Sequence, residues 1–93
     1  MITNTYTNTT NHPQIIRRPD VLAMTGLSKS TLYNRNQEGS FPALFSLGGR
    51  SVGFVKSECE LTVQAMIAGY TNDQLKELVK NLVANRSINF GEL

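Results

Sequence analysis

The sequence predicts a mostly α domain with a small β-hairpin wing: a winged helix-turn-helix carrying an additional C-terminal helix. Three observations predict it. Two short helical segments flank a Gly-containing corner at Gly26-Leu27-Ser28. Two strand-like runs meet at Gly48-Gly49-Arg50, a linker that reads as a tight hairpin. A later segment places Leu75, Leu78, Val79, Leu82 and Val83 at i, i+3, i+4, i+7 and i+8, the stripe of an amphipathic helix.

The elements follow in order. Residues 1–13 hold five Thr and three Asn with few apolar groups, and read as a flexible polar leader. Gln14 to Arg18 is a short β-prone run. Pro19 suits the first turn of a helix because it has no N–H to leave unsatisfied, and Asp20 complements the positive helix end. Val21, Leu22 and Met24 supply its apolar face, and Gly26 ends it. Ser28 is a good N-cap for a second helix over about Lys29 to Glu38, stopped by Gly39. In that helix Leu32 is the clearest core residue. A helix polar nearly all round is expected to have a partner.

Pro42 biases Phe41 toward an extended conformation and ends the helical pair. Ala43 to Leu47 and Ser51 to Val55 are the expected strands. Ser57-Glu58-Cys59-Glu60 fits a capping box, opening a helix with Leu61, Val63, Met66 and Ile67 that ends near Gly69. Thr71-Asn72-Asp73-Gln74 is a second, weaker box before the striped helix. The expected organisation is a leader at 1–13, the winged domain at 14–69, the extra helix at 70–86 and a loose tail at 87–93.

The chain has 93 residues, 40% hydrophobic and 17% charged, which is globular composition and too short for large-enzyme folds. No apolar run approaches a membrane span and the N-terminus lacks a signal-peptide pattern, so a soluble cytoplasmic protein is expected. One His (His12) and one Cys (Cys59) leave no metal-ligand cluster, and no phosphate-cradling Gly motif occurs. Neither catalysis, metal nor cofactor is expected. Cys59 reads as a small buried thiol, His12 as an exposed tail residue.

Charge is unevenly distributed. Residues 14–56 carry six cations against two acids, a net +4, whereas residues 57–93 carry three against five, a net −2. A module facing a polyanion with its acidic part turned away has this pattern, although ordinary solvated surfaces also show it. In the winged architecture the second helix enters the major groove and the hairpin tip reaches backbone or minor groove. Arg35 and Asn34 can each make two-pronged hydrogen bonds to base edges. Lys29, Ser30 and Thr31 lie where a helix N-terminus holds phosphate. Arg50 at the hairpin tip suits a narrow groove, and Arg17 and Arg18 are placed to clamp backbone. Structural readings stand beside these. Tyr33 fits packing under the wing as well as a phosphate contact. Arg17 or Lys56 could simply pair with Asp20 or Glu58. Gly48 and Gly49 serve the turn with or without DNA.

The segment from Val21 to Glu60 resembles the AlpA family of phage and prophage regulators, relatives of the excisionases with a MerR-like winged fold. The matching pieces are Thr25-Gly26-Leu27-Ser28-Lys29-Ser30-Thr31-Leu32-Tyr33, then Glu38-Gly39-Ser40-Phe41-Pro42, then Leu47-Gly48-Gly49-Arg50-Ser51-Val52-Gly53-Phe54, then Ser57-Glu58. Together they are quite specific, and the resemblance covers about residues 15–69. It implies a small double-stranded-DNA-binding protein that activates an integrase gene or directs excision of a mobile element. It puts Ser28 to Thr31 at the start of the recognition helix and Arg50 on the wing. Integrase and a second copy on DNA are further candidate partners, alongside double-stranded DNA. Two positions depart from the family: Thr62 where a tryptophan is usual, and Asn36 near a usually apolar site. The competing reading is a protein-interaction module, an antirepressor or integrase-binding accessory that keeps the fold without reading DNA. The extra helix is expected to pack back onto a thin core, the alternative being contact with a second copy or with integrase.

Overall fold

The computed structural model describes the backbone of residues 14–91 and the side chains of residues 14–86. The expected leader at 1–13, with His12, lies outside the described residues. Seven elements follow one another: β1 (Ile15–Ile16), α1 (Arg18–Thr25), α2 (Lys29–Glu38), β2 (Phe45–Gly48), β3 (Ser51–Val55), α3 (Lys56–Ile67) and α4 (Asn72–Gly91). The chain is mostly helical with a small antiparallel sheet, the order of a winged helix-turn-helix.

The corner between α1 and α2 forms for local reasons. Gly26 takes the left-handed conformation at φ 74° and its N–H donates to the Leu22 carbonyl at 2.8 Å. The Thr25 hydroxyl donates to the Val21 carbonyl and accepts from the Leu27 N–H, which closes the corner from inside. Ser28 then caps α2, its Oγ accepting from the Thr31 N–H at 3.2 Å. Gly39, at φ 88°, ends that helix as expected.

The sheet order is β1-β3-β2, both pairs antiparallel. Phe45 lies opposite Gly53 and Ser46 opposite Val52. A register shift after Ser46 sets Gly48 opposite Ser51. The hairpin is therefore shorter at its root and tighter at its tip than the sequence suggests, since β2 begins at Phe45 and includes Gly48. Val21, Leu32, Phe41, Phe54 and Cys59 form the buried centre, with Phe41 and Phe54 edge-to-face at 6.4 Å between centroids.

The start of α3 differs from expectation. The helix opens at Lys56, after Val55 and without a side-chain cap, so the Ser57–Glu60 box does not form. The reason is tertiary: the Lys56 N–H donates to the Gln14 carbonyl at 2.8 Å, continuing the β1–β3 ladder into the helix and removing the need for a local cap. The buried face of α3 also differs, comprising Glu58, Cys59, Thr62 and Ala65, while Leu61 and Ile67 are exposed.

Before α4 the second box forms reciprocally, the Thr71 N–H donating to Gln74 Oε1 and the Gln74 N–H to Thr71 Oγ1. Helix α4 packs against α3 with Leu75 and Val79 buried, so the stripe turns back onto the domain. Its backbone remains helical to Gly91, where the sequence suggests a loose tail from residue 87.

Candidate nucleic-acid interface

The exposed side of α2 follows from its sequence. Only Leu32 is buried, and Lys29, Ser30, Thr31, Tyr33, Asn34 and Gln37 all face solvent. Tyr33 is 62% exposed, so it does not pack under the wing. At the N-terminal end three hydroxyls cluster: Ser28 Oγ donates to Thr31 Oγ1 at 2.9 Å and lies 3.3 Å from Ser30 Oγ. Ser28 is thus tied to capping, whereas Ser30 and Thr31 present hydroxyls beside the free first-turn N–H groups and Lys29. An anion meets both partial positive charge and hydrogen-bond donors there.

A cleft of about 560 Å³ opens between the start of α1, the side of α2 and the Ala43–Leu44 segment. Leu32 and Leu44 are among its apolar lining; Arg18, Lys29, Tyr33, Asn36 and Gln37 give it polar and cationic walls. The fold brings Arg18 and Lys29 to one cleft, although eleven positions of sequence and a corner separate them. Arg17 is exposed next to the cleft-lining Arg18, its backbone N–H donating to the Asp20 carboxylate at 3.1 Å, and Arg50 is exposed at the hairpin tip.

Arg35 differs from its expected place. It falls three residues after Leu32, on the inward side of the helix, and is half-buried with Nη1 enclosed and unpartnered. Its charge contributes to holding the Glu38 carboxyl below its ordinary value, behind the larger effect of the Ser40 hydroxyl, which donates to Glu38 at 2.6 Å. The exposed side-chain amides of α2, each able to donate and accept at once, are Asn34 and Gln37, and of these Asn34 is the one named from the sequence.

Several residues of consequence escape sequence reading. Asn36 donates from Nδ2 to the Pro42 carbonyl at 2.9 Å, which fastens α2 to the turn before the hairpin and explains a polar side chain at a usually apolar place. Buried Thr62 donates to the Glu58 carbonyl at 2.8 Å. Glu58 pairs with Arg86 and not with Lys56: Arg86 Nε donates to Oε2 at 2.8 Å and Nη2 to Oε1. One signal for that pair is present in the sequence, because position 86 continues the stripe of Leu75, Val79, Leu82 and Val83. A cation on an apolar stripe calls for a buried acid.

Among the described residues no helix is long and apolar enough to cross a membrane. Residues 14–64 match the family model described as Prophage CP4-57 regulatory protein (AlpA). The chain is also similar to uncharacterized protein ORF88 of Enterobacteria phage P4, with 39% identity over 56 residues. That alignment spans 60% of this chain and 64% of the relative, so the chain covers just under two thirds of that protein's length. No solved structure matches.

Proposed function

The chain belongs to the AlpA family of phage regulatory proteins, and on that premise we propose that it is a sequence-specific double-stranded-DNA-binding regulator of a prophage or integrative element. It acts as an excisionase, as a transcriptional regulator of the integrase gene, or as both. Residues 14–69 form the DNA-binding unit and the protein is not an enzyme. The observation that carries this reading is the exposed polar side of α2, offered by a helix with one buried residue next to a cleft walled by Arg18 and Lys29.

In this reading Asn34 reads a base edge, while Lys29, Ser30, Thr31, Arg18 and Arg17 hold phosphates and Arg50 follows the backbone or minor groove. Ser28 acts indirectly, as the cap that fixes the helix start. Arg35 supports the end of the helix.

Selection of bound fragments from a random duplex pool at moderate salt tests this. The wild type is expected to enrich a motif. Asn34→Ala is expected to lose about 1–3 kcal/mol and relax preference at one position. Lys29→Ala is expected to weaken all sequences alike and lower the salt slope by about one. Closely spaced direct repeats in the motif identify excisionase-type assembly, and a lone site identifies a promoter-bound regulator. Absence of any enriched motif overturns the reading in favour of a protein-interaction module.

A further inference from the structure

Helix α4 lies wholly beyond the residues that match the family model, yet one of its side chains reaches the root of the hairpin. Arg86 touches three groups there. Its guanidinium forks onto both carboxylate oxygens of Glu58, in the first turn of α3, three residues past the end of β3. Its Nη2 also donates to the Ala43 carbonyl at 2.8 Å, two residues before β2 begins. The same group lies over the Phe45 ring, 5.6 Å from the centroid, at the first residue of β2.

These contacts join the chain just before the hairpin to the chain just after it. Apart from the Asn36–Pro42 hydrogen bond the hairpin has few other constraints at its root: β2 is a four-residue edge strand, part-buried at Phe45 and exposed from Ser46 to Gly48, held on one side only by β3. The glycines at its tip add freedom, Gly48 and Gly49 both having positive φ. Whatever fixes the root therefore sets the direction in which the hairpin, with Arg50 at its tip, leaves the domain beside α2.

We propose that Arg86 is a positioning residue for the wing, closing the hairpin at its base so that Arg50 is held in one stance. The proposal rests on the DNA-binding reading for its consequence and on the Glu58–Ala43–Phe45 contacts for its geometry. Arg86 is not replaceable by charge alone. A lysine would leave Glu58 a counter-ion but lacks the planar fork that reaches the carboxylate and the Ala43 carbonyl together while lying over a ring. The additional helix thereby serves the interface as well as the core.

The test uses the full chain as wild type, Arg86→Lys, Arg50→Ala and the double variant. The probe is a duplex recovered by the wild type from the random pool. Arg50→Ala is expected to weaken binding by about 10-fold, and Arg86→Lys by about 3-fold or more, in the wild-type background. In the Arg50→Ala background Arg86→Lys is expected to change affinity by less than about 2-fold, because the wing it positions no longer makes its contact. In the free protein, the backbone amide resonances of Gly48, Gly49 and Arg50 are expected to move in Arg86→Lys while helical content stays at the wild-type level. Equal losses in both backgrounds, unmoved wing amides, or loss of the fold in Arg86→Lys each overturn the proposal. If the wild type recovers no duplex, the DNA reading falls, and the wing amides still decide whether Arg86 sets the wing.

Discussion

At the scale of single residues, the interior polar groups show how a thin core tolerates chemistry. Thr62 is fully buried and hydrogen-bonded within its own helix, which removes most of the cost of a hidden hydroxyl. Cys59 is fully buried beside Glu58, and burial first, then that neighbouring charge, pushes its thiol from 9.0 up to about 12. A raised thiol value means that the folded state favours the neutral form. Its contribution to stability is complete below the unfolded-state value near 9 and is lost as pH rises toward 12. The thiol is accordingly expected to resist maleimide in the native protein near neutral pH and to react fully once denaturant is added. Fast labelling without denaturant would show that the site is open.

At the scale of elements, caps and corners fix the two helices of the interface, and most of them act through neighbours in sequence. Ser28 donates and accepts inside the first turn of α2, so Ser28→Ala is expected to lower stability by about 1 kcal/mol, read as a fall in the denaturant midpoint. The slope of the transition is expected to stay the same, because the folded surface is unchanged. The hairpin depends instead on distant partners. A Cβ at Gly53 would lie 2.6 Å from Ile15 Cγ2 and 3.1 Å from Leu47 Cδ1, so the middle strand needs glycine where its two neighbours' side chains meet over it. The local pattern of Ser51 to Val55 gives no warning of this, since φ at Gly53 is not in the left-handed region.

At the scale of the molecule, α4 connects separate parts of the domain. Its first turn approaches the end of α2, where Lys76 and, less strongly, Asn72 add to the Ser40 hydroxyl in holding the Glu38 carboxyl below its ordinary value. Its middle covers α3 with Leu75 and Val79, and Arg86 meets the hairpin root. Truncation after Gly69 uncovers α3 and leaves Glu58 without its counter-ion. Losing the burial of Leu75 and Val79 against α3 costs about 1.5–3 kcal/mol each, and the unpaired Glu58 carboxylate, partly relieved by the water that truncation admits, adds a smaller amount. Against a total of about 5–15 kcal/mol for a domain, the truncated chain is expected to lose its cooperative thermal transition. Glu58→Gln in the truncated chain is expected to recover part of it. A truncated chain that melts as sharply as the full one would show that α4 is dispensable to the fold.

The sequence by itself determined the order of elements, because the signals for it are local. Pro19 and Gly26 bound one helix, Ser28 and Gly39 the next, Gly48 and Gly49 the hairpin, and the Thr71–Gln74 box opens the last. The family likeness was equally legible, being carried by contiguous motifs. What the tertiary structure alone decided were the choices made between segments far apart in the chain. It started α3 at Lys56 by way of the Gln14 carbonyl and turned polar Glu58 and Thr62 inward while leaving Leu61 and Ile67 outside. Arg18 came to the same cleft as Lys29, Arg35 turned inward, and Arg86 was set at the root of the hairpin. Residue type predicts burial only on average. A polar side chain can be buried once a partner supplies its missing hydrogen bonds, and here the partner of Glu58 stands twenty-eight residues away.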